Sequence, residues 1–434
     1  MNERSSSPLA RWFIGGLLVL GGGLVGAGFL MRLPLGNPAG NAVFFSQFLF
    51  WIGSTTGAFM LIGALRLVRA EWRRAWTRPA ELLGAVGLVI CLFWPVLLSR
   101  RTAFLNRIDI SPHAFWPAFV PEWGLWVEGI AVMGVLGMGL YVLFQSMVLE
   151  REWLPSWIEG SSEKLTEVLK HIESEDHDHT DPRSKLKRST VLFLIVLSIT
   201  LTLLGWGYGM NLVPGWSPTI FGAYYLATSI QAGAALLLIA GLTFRVVFGL
   251  EDIVTKHHVD QLGKLMVALA LFWFYFRFAE FLTVWYGEIP EEIHVFTSQT
   301  VGVYPFLFWF QVGANFLVPL VYFSFPRLRR CLSGVFVLSL AILAGSSMER
   351  WMMFGAVHIN GQSVLIGSGV SAGWITSLVF PGVLLIVIGL ALLMVPPVAR
   401  WEWEDGEWMR GRRTVGQDIK ATYSLLDPEE VPRD

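Results

Sequence analysis

The chain has 434 residues, of which 54% are hydrophobic and 15% are charged, and its mean hydropathy is +0.56. This composition is typical of a multi-pass membrane protein, and a net charge of −1 gives no basic surface for nucleic acid. The two cysteines, Cys91 and Cys331, cannot build a disulfide framework, an iron–sulfur cluster or a CxxCH haem site.

Ten apolar stretches of about 20 residues predict an all-α integral membrane fold with ten transmembrane helices. They span residues 11–30, 44–68, 80–100, 124–148, 190–212, 219–247, 262–286, 305–325, 331–349 and 373–396. The first begins with Arg11 and lacks a small-residue cleavage site, so we interpret it as a retained helix rather than a signal peptide. Most lysines and arginines flank the stretches on one side, which predicts that both termini are cytoplasmic.

The second and sixth predicted helices resemble each other at an offset of 176 residues. Gly57 matches Gly233, and Arg69 matches Arg245. Four helices, an even number, separate the two copies, so the copies run in the same direction across the membrane. We therefore predict two parallel four-helix bundles, made of helices 2–5 and 6–9, with the first and tenth helices at the periphery.

These bundles divide the chain into five segments. The segments are 1–43 (N-terminal segment, first helix and outer loop), 44–212 (first bundle), 213–349 (second bundle), 350–396 (outer loop and tenth helix) and 397–434 (cytoplasmic tail). The first bundle includes one long cytoplasmic loop, 149–189. The tract EDHDHTD in this loop has two interpretations, a metal site or a solvated acidic linker.

An arginine and a glutamate lie deep in the seventh predicted helix, in the run LMVALALFWFYFRFAEFLTVWY. At about 1.5 Å per residue, Arg277 lies ~20 Å and Glu280 ~24 Å from Lys264, within a hydrocarbon core ~30 Å thick. An ionisable residue at that depth costs at least ~2.5 kcal/mol, and a spacing of three places both on one helix face. The pair either holds helices together or handles protons or a polar ligand in the outer half of the membrane.

More polar side chains lie on the predicted outer side. Glu128 follows Trp123 by five residues, ~8 Å into the membrane, where it either caps a helix start or helps Arg277 and Glu280 to line a cavity open to the outer face. His113 lies in the loop that leads into the fourth helix, and Glu349 and Arg350 end the ninth. A buried carboxylate beside an arginine can exchange protons or accept a hydrogen bond from a quinol hydroxyl.

The remaining polar residues limit the cofactors that the chain can hold. The amide of Gln231 needs hydrogen-bond partners within lipid, so we expect it to face the bundle interior. None of the eight histidines lies deep in a predicted helix, so no bis-His haem is predicted, and no residue is assigned as a metal ligand. Electrons would therefore have to pass through another subunit.

Three segments resemble a known family. They are GWSPTIFGAYYLATSIQAGAALLLI, HHVDQLGKL and FWFYFRFAEFLTVWYGEIPEE. Together they resemble the NrfD/polysulfide-reductase membrane-subunit family. Within it they are most similar to the second, ten-helix NrfD-like subunit of alternative complex III, a quinol:cytochrome c oxidoreductase. The resemblance covers helices two to nine in topology and is specific over residues 214–292.

The resemblance implies a subunit of the bacterial inner (cytoplasmic) membrane, surrounded by lipid and docked under a periplasmic iron–sulfur protein. A multihaem cytochrome c and a paralogous NrfD-like subunit are its further implied partners. The chain itself is expected to hold no haem or iron–sulfur cluster and no covalently bound cofactor, which leaves a quinone such as menaquinone as the candidate ligand. The candidate residues are Glu128, Arg277 and Glu280 for proton or quinol chemistry on the outer side, His113, Gln231 and Trp285 for a quinone pocket, and His258 and Asp260 for proton uptake from the cytoplasm.

Three functions remain in competition. The first is a membrane subunit of a quinol-oxidising respiratory complex, contributing quinol-site or proton-pathway residues without a redox cofactor of its own. The second is a structural anchor whose paralogous partner carries the quinone site. The third, a transporter built on parallel repeats, is disfavoured because the sequence has no broken-helix Gly/Pro pair at matched depths.

Overall fold

The computed structural model describes residues 8–30, 38–107, 123–150, 182–212, 216, 218–301, 304–358, 368–399 and 401–402. These residues are helical, with no strand among them, which confirms the prediction of an all-α membrane protein. Within the same ranges, nine helices are long and apolar enough to cross a membrane, and a bent pair provides a tenth candidate. The two sides are named below by the predicted orientation, with the basic flanks on the inner side.

The helices are numbered in chain order. They are α1 (Pro8–Leu30), α2 (Pro38–Leu67), α3 (Thr77–Cys91), α4 (Trp94–Arg107), α5 (Trp123–Glu150), α6 (Pro182–Tyr208), α7 (Phe221–Val247), α8 (Lys256–Gly287), α9 (Pro290–Thr300), α10 (Pro305–Val312), α11 (Val318–Ser324), α12 (Pro326–Arg329), α13 (Leu332–His358), α14 (Ser368–Ser377) and α15 (Val379–Met394). A 3₁₀ helix at Glu71–Trp76 leads into α3.

The predicted third helix, 80–100, is two helices rather than one straight span. The segment that ends with α3 and the segment that begins with α4 meet at a bend of 43°. Pro95 is the second residue of α4, where a proline costs no hydrogen bond because the first N–H groups of a helix have no partner within it. The sequence therefore encodes a helix start in the middle of an apolar run.

The predicted eighth helix is interrupted by a π-helical segment. It continues from α10 through a π segment at Gly313–Leu317 into α11. Pro319 has no N–H, so it cannot donate to the carbonyl of Asn315 four residues earlier. That carbonyl accepts a hydrogen bond from Gln231 Nε2 at 2.6 Å. Pro319 thus leaves the Asn315 carbonyl without a donor from its own helix, and Gln231 of α7 supplies one.

Small residues let α2 and α7 approach closely. A Cβ atom added to Gly57 would overlap the backbone of Ser229, and one added to Gly233 would overlap the backbone of α2. Tyr225 donates its hydroxyl hydrogen to the carbonyl of Leu49 at 2.8 Å. Gly57 and Gly233, like Leu49 and Tyr225, are 176 residues apart. Because a constant offset relates these contacts along both helices, α2 and α7 run parallel.

The other long helices surround this pair. On one side, α2 contacts α3 and α6, and α5 contacts the same two helices. On the other, α7 contacts α8 and α13, while α11 contacts α8 and α10 contacts α13. The first helix packs against α15, and α14 packs against α2. Buried charges lie inside both groups of helices, where each must find its partner within the protein.

Candidate functional site

Arg277 and Glu280 form a buried ion pair on α8, as their spacing predicts. Arg277 donates from Nη1 to Glu280 Oε2 at 2.9 Å and from Nη2 to Gln299 Oε1 at 2.5 Å. The guanidinium also lies over the ring of Phe308, 5.8 Å from its centroid. Arg277 is 8% exposed and Glu280 6%. The arginine is thus neutralised by one carboxylate and held in place by an amide from a second helix.

The amide partner, Gln299, was not predicted from the sequence. It lies on α9, a helix within what was interpreted as an outer loop, and α9 packs on α8 through the rings of Phe281 and Phe296, 4.9 Å apart. The sequence does contain a pattern that predicts the start of α9. Pro290 stands at its first position, and two glutamates follow, a pattern typical of helix starts.

Glu128 pairs with Arg101 rather than with the charges of α8. Arg101 Nη1 lies 3.0 and 3.1 Å from the two carboxylate oxygens, and its guanidinium lies 5.3 Å from the centroid of the Tyr208 ring. A Cβ atom at Gly207 would overlap the Glu128 carboxylate, so a larger residue there would displace this side chain. Glu128 therefore lies in an ion pair and does not cap α5. Arg101 holds the position that the 176-residue offset matches to Arg277.

A third buried group of charges is centred on Glu349. Its Oε1 accepts hydrogen bonds from the Tyr224 hydroxyl and from Trp273 Nε1, the latter at 2.8 Å. Its Oε2 accepts from Arg350 Nη1 at 3.0 Å, and Asn315 Nδ2 lies 3.5 Å away. The donors come from α7, α8, α13 and the π segment, so the carboxylate joins all parts of this helix group.

The same cluster extends through Arg350. Its Nη2 donates to the hydroxyl of Thr228, and its guanidinium lies 5.1 Å from the centroid of the Tyr225 ring. Ser346 donates to Asn315 Oδ1 at 3.1 Å, next to the irregular backbone of the π segment. Single π-helical turns within α-helices frequently occur at functional sites. The sequence places Glu349 and Arg350 at the end of the ninth predicted helix, whereas α13 continues to His358, so both charges lie inside the helix.

Two of the three candidate residues for a quinone pocket are described by the structure, and these two lie apart. Gln231 is buried between α7 and the π segment, where the Glu349 cluster includes Trp273 of α8. Trp285 is 64% exposed and lies twelve residues further along α8, ~18 Å by helical rise. His113 lies outside the described residues. Gln231 faces the interior as predicted, whereas Trp285 presents its ring to the surroundings of the helix.

The predicted proton-uptake residues stand at the inner end of α8. His258 is buried and belongs to a capping box, in which its Nδ1 accepts a hydrogen bond from the Thr255 N–H at 3.2 Å. Asp260 is held by two cations, with Oδ2 2.9 Å from Lys264 Nζ and Oδ1 2.9 Å from Arg329 Nε. The capping box stabilises the N-terminus of α8, and the Asp260–Arg329 ion pair connects α8 to α12.

A further ion-pair network, not predicted from the sequence, lies at the inner ends of α2 and α3. Glu402 accepts from Arg73 at 2.6 Å, from Arg66 at 3.3 Å and from the Thr77 hydroxyl at 2.9 Å. Burial favours a raised pKa for Glu402, but the charges of Arg73 and Arg66 and the hydrogen bonds from Arg73 and Thr77 outweigh it. The pKa of Glu402 is therefore below its usual value.

The network continues toward α5. Glu81 accepts from Arg78 at 2.8 Å and from the Ser146 hydroxyl at 2.6 Å, and lies 3.6 Å from Arg66. Arg78 also pairs with Glu150 at the end of α5. A small cavity with room for about one water lies beside Arg66 and Glu81. Long-range pairing of this kind cannot be found from local spacing.

Among the described residues, no three His, Cys, Asp or Glu side chains are grouped as ligands of a metal ion. On the predicted outer side, the arrangement that stands out chemically is the set of three buried carboxylates, Glu128, Glu280 and Glu349, each paired with an arginine. Comparison with known proteins found no matching protein-family model and no matching curated protein.

Proposed function

We propose that this chain is a membrane subunit of a quinol-oxidising respiratory electron-transfer complex of the quinol:cytochrome c oxidoreductase type. It would lie in the bacterial inner membrane with both termini in the cytoplasm. Its contribution would be quinol-site or proton-pathway residues on the periplasmic side. The observation that carries the proposal is the buried Arg277–Glu280 pair in the outer part of α8.

The proposed architecture is two parallel four-helix bundles. The contacts of α2, α3, α5 and α6 with one another, and those of α7, α8, α10–α11 and α13, support it. The parallel course of α2 and α7 at the repeat offset supports the duplication. Each bundle would then hold its own arginine–carboxylate pair, Arg101–Glu128 in the first and Arg277–Glu280 in the second.

The two pairs differ in what they leave available for chemistry. Both oxygens of Glu128 face Arg101. Glu280 uses only Oε2 toward Arg277 among the described residues, and it keeps 6% of its surface exposed. Its second oxygen can therefore accept a hydrogen bond from a quinol hydroxyl or receive a released proton, with the neighbouring guanidinium stabilising the anion. Ionisable groups at membrane depth are costly, which favours a functional reason for keeping them.

Electrons from the quinol would pass to other proteins. We propose a periplasmic iron–sulfur protein and a multihaem cytochrome c as the acceptors, with a paralogous subunit beside this one. The quinone, menaquinone or another, would be bound near Glu280 by this chain or at the interface with its paralogue.

The experiment is Glu280→Gln in the assembled complex, with quinol-dependent cytochrome c reduction as the readout. We expect a large loss of turnover, because glutamine can accept a hydrogen bond but cannot take up a proton. Thr283→Val is the matched control: it lies one turn away on α8, and its hydroxyl bonds only the carbonyls of its own helix. Unchanged turnover in Glu280→Gln would remove this residue from the mechanism.

The alternative function is a structural anchor whose paralogous partner holds the quinone site. The Arg101–Glu128 pair favours it, because a carboxylate whose two oxygens both accept from Arg101 Nη1, at 1% exposure, holds helices together without reacting. Purifying the complex through a tag on this chain distinguishes the two. A single quinone located in the partner subunit, with full turnover in Glu280→Gln, would establish the anchor.

A further inference from the structure

Two buried amides of the second helix group have polar atoms that no group in the described part of the chain satisfies. Both amide atoms of Gln311 and Oε1 of Gln231 lack a hydrogen-bond partner among the described residues. Gln311 is 1% exposed and Gln231 is fully buried. An unpaired buried polar group costs ~1–3 kcal/mol, so such atoms are nearly always satisfied by protein or by ordered water.

The contacts between α10, α11 and α13 place Gln311 at the level of Glu349. The α10–α11 segment and α13 run antiparallel, since the Tyr304 ring contacts the Trp351 ring with centroids 5.6 Å apart, and Asn315 accepts a hydrogen bond from Ser346. Gln311 lies between Tyr304 and Asn315 on its helix and therefore opposite the stretch between Ser346 and Trp351. It also precedes Asn315 by four residues, one helical turn, and so points to the same side.

Water is the ligand that these groups fit. A buried water makes about three hydrogen bonds and both donates and accepts, so it suits a site that mixes amide N–H groups and amide oxygens. Gln311 supplies a donor and an acceptor and Gln231 an acceptor, while Glu349 is already engaged by Tyr224, Trp273 and Arg350. With that charge balanced, the site has no excess charge to attract an ion.

We propose that Gln311 and Gln231 bind internal water molecules next to Asn315 and Glu349, in the core of the second helix group. The proposal goes beyond the function above, because neither amide carries the proposed chemistry at Glu280.

The test is hydroxyl-radical footprinting by X-ray radiolysis of the full chain in lipid nanodiscs, in which bound waters become the radical source. We expect labelling of Trp273 and Tyr224, although both are only 1% exposed, because both donate to Glu349. Phe45 and Phe193 are equally buried and serve as unlabelled references. Gln311→Leu should reduce labelling of Trp273 to the level of Phe193, whereas Gln145→Leu, a buried amide on α5, should leave it unchanged.

A second readout covers the case in which Gln311→Leu perturbs folding. If water satisfies the amide, leucine removes real hydrogen bonds, and the melting temperature stays equal or falls. If the amide is dry, leucine replaces an unpaired polar group, and the melting temperature rises. Wild-type Trp273 labelled no more than Phe193, or a clear rise in the melting temperature of Gln311→Leu, would overturn the proposal. Neither result depends on whether Glu280 takes part in quinol oxidation.

Discussion

Glu402 accepts hydrogen bonds on both carboxylate oxygens from Arg73 Nη1, at 2.7 and 2.6 Å, although 329 residues separate the two in sequence. The contact ties the segment after the last transmembrane helix to the turn between α2 and α3. Arg66 and Thr77 complete the arrangement. A carboxylate buried among two guanidinium groups stabilises the fold only while it is ionised.

That requirement gives a pH dependence. The pKa of Glu402 is lower in the folded protein than its usual value of about 4.3, so its contribution to stability is present above pH ~4.3 and is lost as pH falls through the folded pKa. We expect Glu402→Gln to lower the free energy of unfolding at pH 7 by about 3 kcal/mol, as for other broken buried pairs. Scanning fluorimetry from pH 7 down to the acid limit of folding should show this difference shrinking below pH ~4.3.

The control for this prediction is Glu251→Gln, an exposed carboxylate on the same inner side. Its melting temperature should follow the wild type at every pH. A Glu402→Gln variant that loses as much stability in acid as at neutral pH would show that packing, and not the charge, is what Glu402 contributes.

A second prediction concerns the contact between α2 and α7. Gly57→Ala places a methyl group against the backbone of Ser229, which cannot move without shifting its helix. We expect a loss of about 1–3 kcal/mol or failure to assemble, because overpacked interfaces are strained. Gly137→Ala is the matched control, since nothing lies within 4 Å of a Cβ atom at this helical position. Expression yield and melting temperature in detergent compare the two variants. If Gly57→Ala behaves like Gly137→Ala, the close approach of α2 and α7 is contradicted.

A third prediction tests whether Gln231 compensates for the backbone donor that is missing at Pro319, beside the π segment. Gln231→Leu leaves the carbonyl of Asn315 without its partner and should cost ~1–2 kcal/mol. Pro319→Ala restores a backbone N–H four residues after Asn315, so the same carbonyl regains a helical donor. The cost of Gln231→Leu should therefore be smaller in the Pro319→Ala background. Thermal stabilities of the two single variants and the double variant form the cycle, and strict additivity would refute the link.

Sequence analysis predicted what depends on local patterns. Apolar stretches identified the transmembrane helices, and a spacing of three identified the Arg277–Glu280 pair, because both are properties of one helix. The repeat offset also predicted that α2 and α7 run parallel, and Leu49 and Tyr225 meet at that offset.

Contacts between distant helices could not be predicted in this way. Trp273 and Glu349 are 76 residues apart, and Tyr224 and Glu349 are 125 residues apart, so no spacing rule relates them. Gln299 falls between the predicted seventh and eighth helices because an apolar window of transmembrane length ignores an eleven-residue helix. The bend after α3 was missed for the opposite reason, since a window of 20 residues averages over Pro95.

The last prediction distinguishes a structural role from a chemical role for the Arg101–Glu128 ion pair. Arg101→Leu leaves the Glu128 carboxylate buried without a counter-ion and should cost ~3–5 kcal/mol, whereas Arg101→Leu combined with Glu128→Leu removes both charges and should recover most of that loss. Melting temperatures in detergent measure the recovery.

Quinol-dependent cytochrome c reduction by the assembled double variant then decides the role of the pair. Because both oxygens of Glu128 are engaged by Arg101, we expect the double variant to keep more turnover than Glu280→Gln, whose carboxylate has one oxygen outside its ion pair. A stable double variant without turnover would instead place Glu128 in the proton pathway.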